Sequence, residues 1–169
     1  MNSDDESTVA VTFRLNGVDG THRVQPRTHL VDFLRDSQGL VGTRAGCEHG
    51  VCGACTVRID GAIARGCLVL PAQLEGADVW TIEGLDGTGE LKELQEAFHQ
   101  CNAVQCGFCT SGMLVTASQL VVESSGDTPP DRAQIREYMS GNLCRCTGYQ
   151  SIIDAVKLAL RAKGNTSHD

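Results

Sequence analysis

Aromatic side chains are scarce: one Trp, two Tyr and four Phe make up 4% of the 169 residues. No uninterrupted apolar run approaches the ~20 residues that a membrane-spanning helix needs, which argues against a membrane span. Basic residues are the minority, with 14 Lys and Arg against 21 Asp and Glu and a net charge of -7. Nucleic-acid binding draws on counterion release by a basic surface, so this balance has the wrong sign for it. The N-terminal MNSDDEST also lacks the basic start and apolar stretch of a signal peptide. The cytoplasm is therefore the expected location.

Glycine and cysteine are plentiful. Nineteen Gly, about 11% against a usual ~7%, mean that much of the chain lies in special turns. Hydrophobic residues at 41% and charged residues at 21% suit a folded protein, and the length allows one ordinary domain or two small ones. Nine cysteines stand at 47, 52, 55, 67, 101, 106, 109, 144 and 146. An odd number cannot pair completely as disulfides, and clustered thiols in a reducing compartment are more often metal ligands. Eight of them form two quartets. The first is Cys47-x4-Cys52-x2-Cys55 with Cys67; the second is Cys106-x2-Cys109 with Cys144-x-Cys146. Cys101 is left over and reads as a core or inert surface thiol.

Periodicity divides the chain. Val9, Val11, Phe13 and Leu15 alternate as one face of a strand, and Asn16-Gly17 turns it toward a partner at 21–24. Leu30, Phe33 and Leu34 have helical spacing, with Thr28 as N-cap and Gly39 as stop. Thr56–Asp60 and Ala62–Cys67 flank Asp60-Gly61 as a second hairpin, and Val79–Ile82 reads as a last strand. Past a link at 85–89 the period becomes helical. Leu91, Leu94 and Phe98 fit one helix, and Met113, Leu114, Ala117, Leu120 and Val121 a longer one. Asp131 caps a third helix and Ser151 a fourth, with a polar loop at 124–130 between the second and third. The expected class is α+β: a domain at 8–84, a helical bundle at 88–163 and a flexible tail at 164–169.

The first quartet has the spacing of a plant-type [2Fe–2S] site. Structural zinc usually takes two short Cys pairs, which this spacing fits poorly. Gly46, Gly50 and Gly53 interleave with its cysteines, where missing side chains permit positive φ and close approach to a cluster. Cys67 closes the site from the strand after the hairpin. The second quartet, on spacing alone, leaves zinc and an iron–sulfur cluster both open. Its two pairs precede helices, whose free N–H groups favour an anionic cluster. His49 reads as a solvated loop residue, Trp80 as packing and Tyr149 as a cap on the helical core. Arg145 could offset cluster charge or meet a partner.

Three motifs in order, CEHGVCGACTV at 47–57, QCGFCTSGM at 105–113 and GNLCRCTGYQ at 141–150, resemble the iron–sulfur subunit of the xanthine oxidase family of molybdenum hydroxylases. The resemblance runs from about Val9 to Ala162. One departure is Ser111, where the family more often has Pro. The resemblance implies a β-grasp plant-type ferredoxin domain followed by a four-helix bundle, each with one [2Fe–2S] cluster. The ligands it implies are Cys47, Cys52, Cys55 and Cys67 in the first site, and Cys106, Cys109, Cys144 and Cys146 in the second. It also implies that Gln105 and Cys146 contact molybdopterin, and a side-chain amide suits the donor and acceptor edge of a pterin. Electrons are then expected to pass from molybdopterin on a large subunit to FAD on a medium subunit, in a dimer of heterotrimers. The catalytic site lies on another chain. An N-heteroaromatic compound such as quinoline is the expected substrate, and CEHGVC argues against carbon monoxide.

Overall fold

The computed structural model describes residues 8–124 and 129–166. Strand β1, Val9–Leu15, buries Val11, Phe13 and Leu15, the alternation expected of a half-buried strand. Val9 departs from the reading and is exposed at the strand's start. Asn16 and Gly17, both at positive φ, turn the chain into β2, Val18–Val24, which starts earlier than the sequence suggested. Asp60 and Gly61 do the same between β3, Thr56–Ile59, and β4, Ala62–Arg65. Such paired positive-φ turns match the twist of the strands they join. β5, Asp78–Trp80, runs parallel to β1 and antiparallel to β3, giving a mixed sheet of order β2-β1-β5-β3-β4.

Helix α1, Leu30–Asp32, passes directly into a π-helical turn at Phe33–Ser37. His29, not Thr28, occupies the N-cap and makes no side-chain cap, while Gly39 at φ +69 follows the end as expected. Leu30, Phe33 and Leu34 pack with Phe13, Val57 and Val79 in one core. Each such buried side chain contributes about 1.5–3 kcal/mol relative to exposure. Ile82 is not strand: α2, Ile82–Gly87, begins there and carries a helix into the supposed link, burying Leu85.

Four further helices pack together: α3, Lys92–Gln100; α4, Thr110–Glu123; α5, Arg132–Met139; and α6, Gln150–Thr166. All of Gly112–Leu120 in α4 is buried, so this helix is covered on every side. It packs on α3, α5 and α6 and also on β3 and β4, which makes it the wall between the two cores. Asp131 caps α5 as the sequence suggested, and Gln134, which the sequence reading did not single out, completes a capping box. Ser151 is no cap; it lies inside α6, whose first carbonyl acceptor is Tyr149. The proposed loop at 124–130 lies outside the described residues at 125–128. Of the proposed tail, 164–166 belong to α6 and 167–169 lie outside the described residues. Among the described residues, no helix is long and apolar enough to cross a membrane.

Candidate metal centres

The first quartet is gathered by a loop that folds back on the sheet. Cys47 and Cys52 are half-buried, whereas Cys55 and Cys67 are buried against Val31. Cys67 sits on a single 3-10 turn, Gly66–Leu68, after β4 ends, and not on the strand itself. The turn lets its backbone leave the sheet and meet the loop. Backbone N–H groups point at sulfur, among them Gly50 to Cys67 Sγ at 3.2 Å, Cys52 to Cys47 Sγ at 3.3 Å, and Ala54 to Cys52 Sγ at 3.5 Å. Gly50 and Gly53 adopt positive φ; Gly46 does not, contrary to expectation. Gly46 instead permits close approach, since a Cβ there would stand 3.0 Å from Cys52 Sγ.

The loop's backbone sets its thiol acidity. N–H groups of His49 and Cys52 pull the Cys47 thiol down to about 6, while burial pushes Cys55 up to about 11. The thiolate is the ligand form, so Cys47 would offer it at neutral pH, whereas Cys55 would have to give up its proton on binding a metal. The His49 ring is exposed and hydrogen-bonds the Cys47 carbonyl, so only the backbone N–H of this residue reaches a sulfur.

The second quartet lies where α4 and α6 begin. Cys109 is the N-cap residue of α4, and Cys106 precedes it in an exposed loop. Cys144 and Cys146 lie in the turn before α6. Cys106 and Cys146 Sγ are 3.6 Å apart, and the Cys109 thiol meets that of Cys144. Burial pushes Cys109 up to about 12. Burial also pushes Cys144 upward, but the Thr147 hydroxyl and the N–H groups of Thr147 and Cys146 outweigh it, and the thiol ends below its usual value. Each quartet is thus brought together, with soft sulfur donors and aimed N–H groups that suit an iron–sulfur cluster. Among the described residues, no three Cys, His, Asp or Glu side chains converge to hold a single metal ion.

Gln105 is exposed next to Cys106. Cys101 belongs to neither quartet and packs, half-buried, on the helical core. Trp80 also packs there, with its ring 3.4 Å from where a Gly17 Cβ would stand. Tyr149 packs on the same core, but its hydroxyl also accepts the Cys144 N–H at 2.9 Å.

The residue that sequence reasoning missed is Asn142. It is 1% exposed and joins the two loops. Its Nδ2 donates to the Gly53 carbonyl at 3.0 Å, and its Oδ1 accepts from the Thr116 hydroxyl at 3.0 Å. Next to it, the Leu143 N–H donates to the Cys52 carbonyl at 2.8 Å, and Arg65 donates to the Gly141 carbonyl at 2.7 Å. Gly53 must be glycine here: it stands at φ +71, and a Cβ would meet Asn142 Cγ and the Gly141 carbonyl at 2.7 Å. The position of Asn142, two before Cys144, was the available signal.

A mixed sheet with a glycine-lined thiol loop, locked to a helical half with a second quartet, defines a protein of two iron–sulfur sites. Residues 13–79 match the family model described as "2Fe-2S iron-sulfur cluster binding domain", and residues 81–157 match "[2Fe-2S] binding domain". The chain is 50% identical to caffeine dehydrogenase subunit gamma of Pseudomonas sp. (strain CBB1), over 89% of this chain and 90% of that one. It is 47% identical to the nicotine 6-hydroxylase small subunit of Paenarthrobacter nicotinovorans, over 93% of each. The crystal structure of quinoline 2-oxidoreductase from Pseudomonas putida 86 superposes with a TM-score of 0.84 at 46% identity, covering 96% of this chain and 99% of that chain. The chain belongs to the iron–sulfur small subunits of the xanthine oxidase family of molybdenum hydroxylases, and so to an oxidoreductase.

Proposed function

We propose that this subunit conducts electrons from a molybdopterin site on a large subunit to FAD on a medium subunit while an N-heteroaromatic compound is hydroxylated. The observation that carries this reading is the direct bonding of the two thiol loops at Leu143–Cys52 and Asn142–Gly53. A junction held by direct hydrogen bonds around the buried Asn142 suits electron passage because it brings the two loops together. Each bound [2Fe–2S] cluster supplies one-electron exchange. Cys47, Cys52, Cys55 and Cys67 would hold one, and Cys106, Cys109, Cys144 and Cys146 the other. The exposed Gln105 and Cys146 would meet the pterin, Gln105 by matching its donor and acceptor edge.

The substrate class draws support from the caffeine, nicotine and quinoline enzymes among the relatives, all acting on nitrogen heterocycles. The reading treats 8–84 as a β-grasp ferredoxin domain and 88–163 as a four-helix bundle, inside a cytoplasmic dimer of heterotrimers. The test is purification by a tag on this chain from its own host. Two larger chains should accompany it, carrying molybdenum and FAD, and this chain should bring four iron and four acid-labile sulfides. Anaerobic addition of quinoline, nicotinate or a purine should then bleach the flavin. A chain that purifies alone would be a diffusing ferredoxin, and two zinc without iron would refute the cluster assignment.

A further inference from the structure

The turn from Cys144 to Tyr149 closes on itself through three directed hydrogen bonds. The Cys144 N–H donates to the Tyr149 hydroxyl oxygen at 2.9 Å. The Tyr149 N–H donates to Thr147 Oγ1 at 3.2 Å. The Thr147 hydroxyl then donates to Cys144 Sγ at 3.2 Å. The second bond sets the direction of the third. A hydroxyl has one proton and two lone pairs; with a lone pair engaged by Tyr149 N–H, the Thr147 proton is aimed at sulfur.

Two observations set this ring apart from ordinary turn geometry. Tyr149 stands at φ +69, a left-handed conformation that side chains other than Gly rarely adopt. Its N–H and its hydroxyl are the two groups that close the ring. Moreover, the other protein hydrogen bonds to quartet sulfurs described above come from backbone N–H groups or from thiols. Among the described residues, Thr147 alone brings a side-chain hydroxyl to one of these sulfurs.

We propose that Thr147 tunes the helical-domain cluster: its hydroxyl, aimed by the Tyr149 N–H, raises that cluster's reduction potential. The inference rests on Cys106, Cys109, Cys144 and Cys146 being the ligands of one cluster. Reduction adds an electron to an already anionic iron–sulfur–thiolate group. A donor on a ligating sulfur stabilises the more negative, reduced form more than the oxidised one, which makes hydrogen bonds to sulfur a determinant of potential. Thr147 is a positioning residue in this account, since it acts through Cys144.

The test uses the complete chain co-expressed with its partner subunits, in an EPR-monitored redox titration of both clusters. Thr147→Val removes the hydroxyl and keeps the branched shape; Thr147→Ser keeps the hydroxyl. The valine variant should disfavour reduction of the helical cluster about tenfold, a downward shift of 59 mV for one electron. The serine variant should stay within about twofold of wild type, and the other cluster should not move in either. Thr147→Ala carries the same expectation as valine if the valine variant does not assemble. A potential that ignores loss of the hydroxyl overturns the tuning role, as does a serine variant shifted as far as valine. A wild-type chain with no EPR signal from the helical site overturns the ligand assignment and the tuning with it.

Discussion

The Leu143 N–H donates to the Cys52 carbonyl at 2.8 Å, so a cysteine of one quartet is bonded to the residue that precedes a cysteine of the other. Cys52 lies in the loop that covers the sheet domain, and Leu143 lies in the turn that opens α6. The fold therefore does more than carry two sites side by side. It joins their backbones through one hydrogen bond, and Asn142 fixes that junction from inside.

Cys52→Ser should separate the two sites. Serine is a poor ligand for iron, and the quartets share no cysteine. The variant should lose the EPR signal of the ferredoxin-domain cluster and keep that of the helical one. In the assembled enzyme, rapid mixing with substrate should still reduce the helical site while FAD reduction slows at least tenfold. Unchanged FAD reduction, with the first cluster shown to be missing, would prove another electron route.

Replacing Cys101 with Ser should leave iron content, both EPR signals and turnover within about twofold of wild type. Its thiol packs on the helical core, and the eight other cysteines would suffice to hold four irons. Loss of either signal in a folded Cys101→Ser protein would mean that the quartets are wrongly drawn.

Asn142→Ala should destabilise the chain. It leaves the buried Thr116 hydroxyl without its acceptor, whereas the Gly53 carbonyl keeps the Thr56 N–H and hydroxyl as donors. A buried group left unpaired costs about 1–3 kcal/mol. At about 2–4 °C per kcal/mol for a chain of this size, the thermal midpoint should fall by roughly 2 °C or more. Calorimetry of the holoprotein measures this, and a midpoint within 1 °C of wild type would contradict the locking role.

The pH dependence of stability should carry a contribution from His22. Its ring lies 4.4 Å from Phe13 and 5.3 Å from Phe33, and burial lowers its pKa below the ordinary 6.5. Above pH 6.5 the ring is neutral whether folded or unfolded, and its full contribution is present. As the pH falls below 6.5, the unfolded chain takes up the proton first, and stability drops until the folded pKa is passed. Urea unfolding at pH 7.5, 6.5 and 5.5 should show a shallower acid loss for His22→Phe than for wild type. Equal slopes would remove His22 as a cause.

The sequence by itself determined the elements that depend on near neighbours. Alternation marked β1, the Asn16-Gly17 and Asp60-Gly61 turns marked both hairpins, and Asp131 marked the start of α5. Cysteine spacing marked both quartets, because a ligand loop must present its thiols at fixed intervals. Only the tertiary structure decided what depends on distant partners or on competing local geometry. Ser151 has the chemistry of a cap, but Tyr149, at positive φ, had already turned the chain into α6. Cys67 continues a strand pattern, yet it sits on a 3-10 turn that carries it off the sheet toward Cys55. Asn142 looks like an ordinary loop residue until Gly53, 89 positions away, is placed beside it. A periodic pattern records which face of an element is buried. It does not record which carbonyl of another element will be waiting there, and the junction of the two sites is made of such pairs.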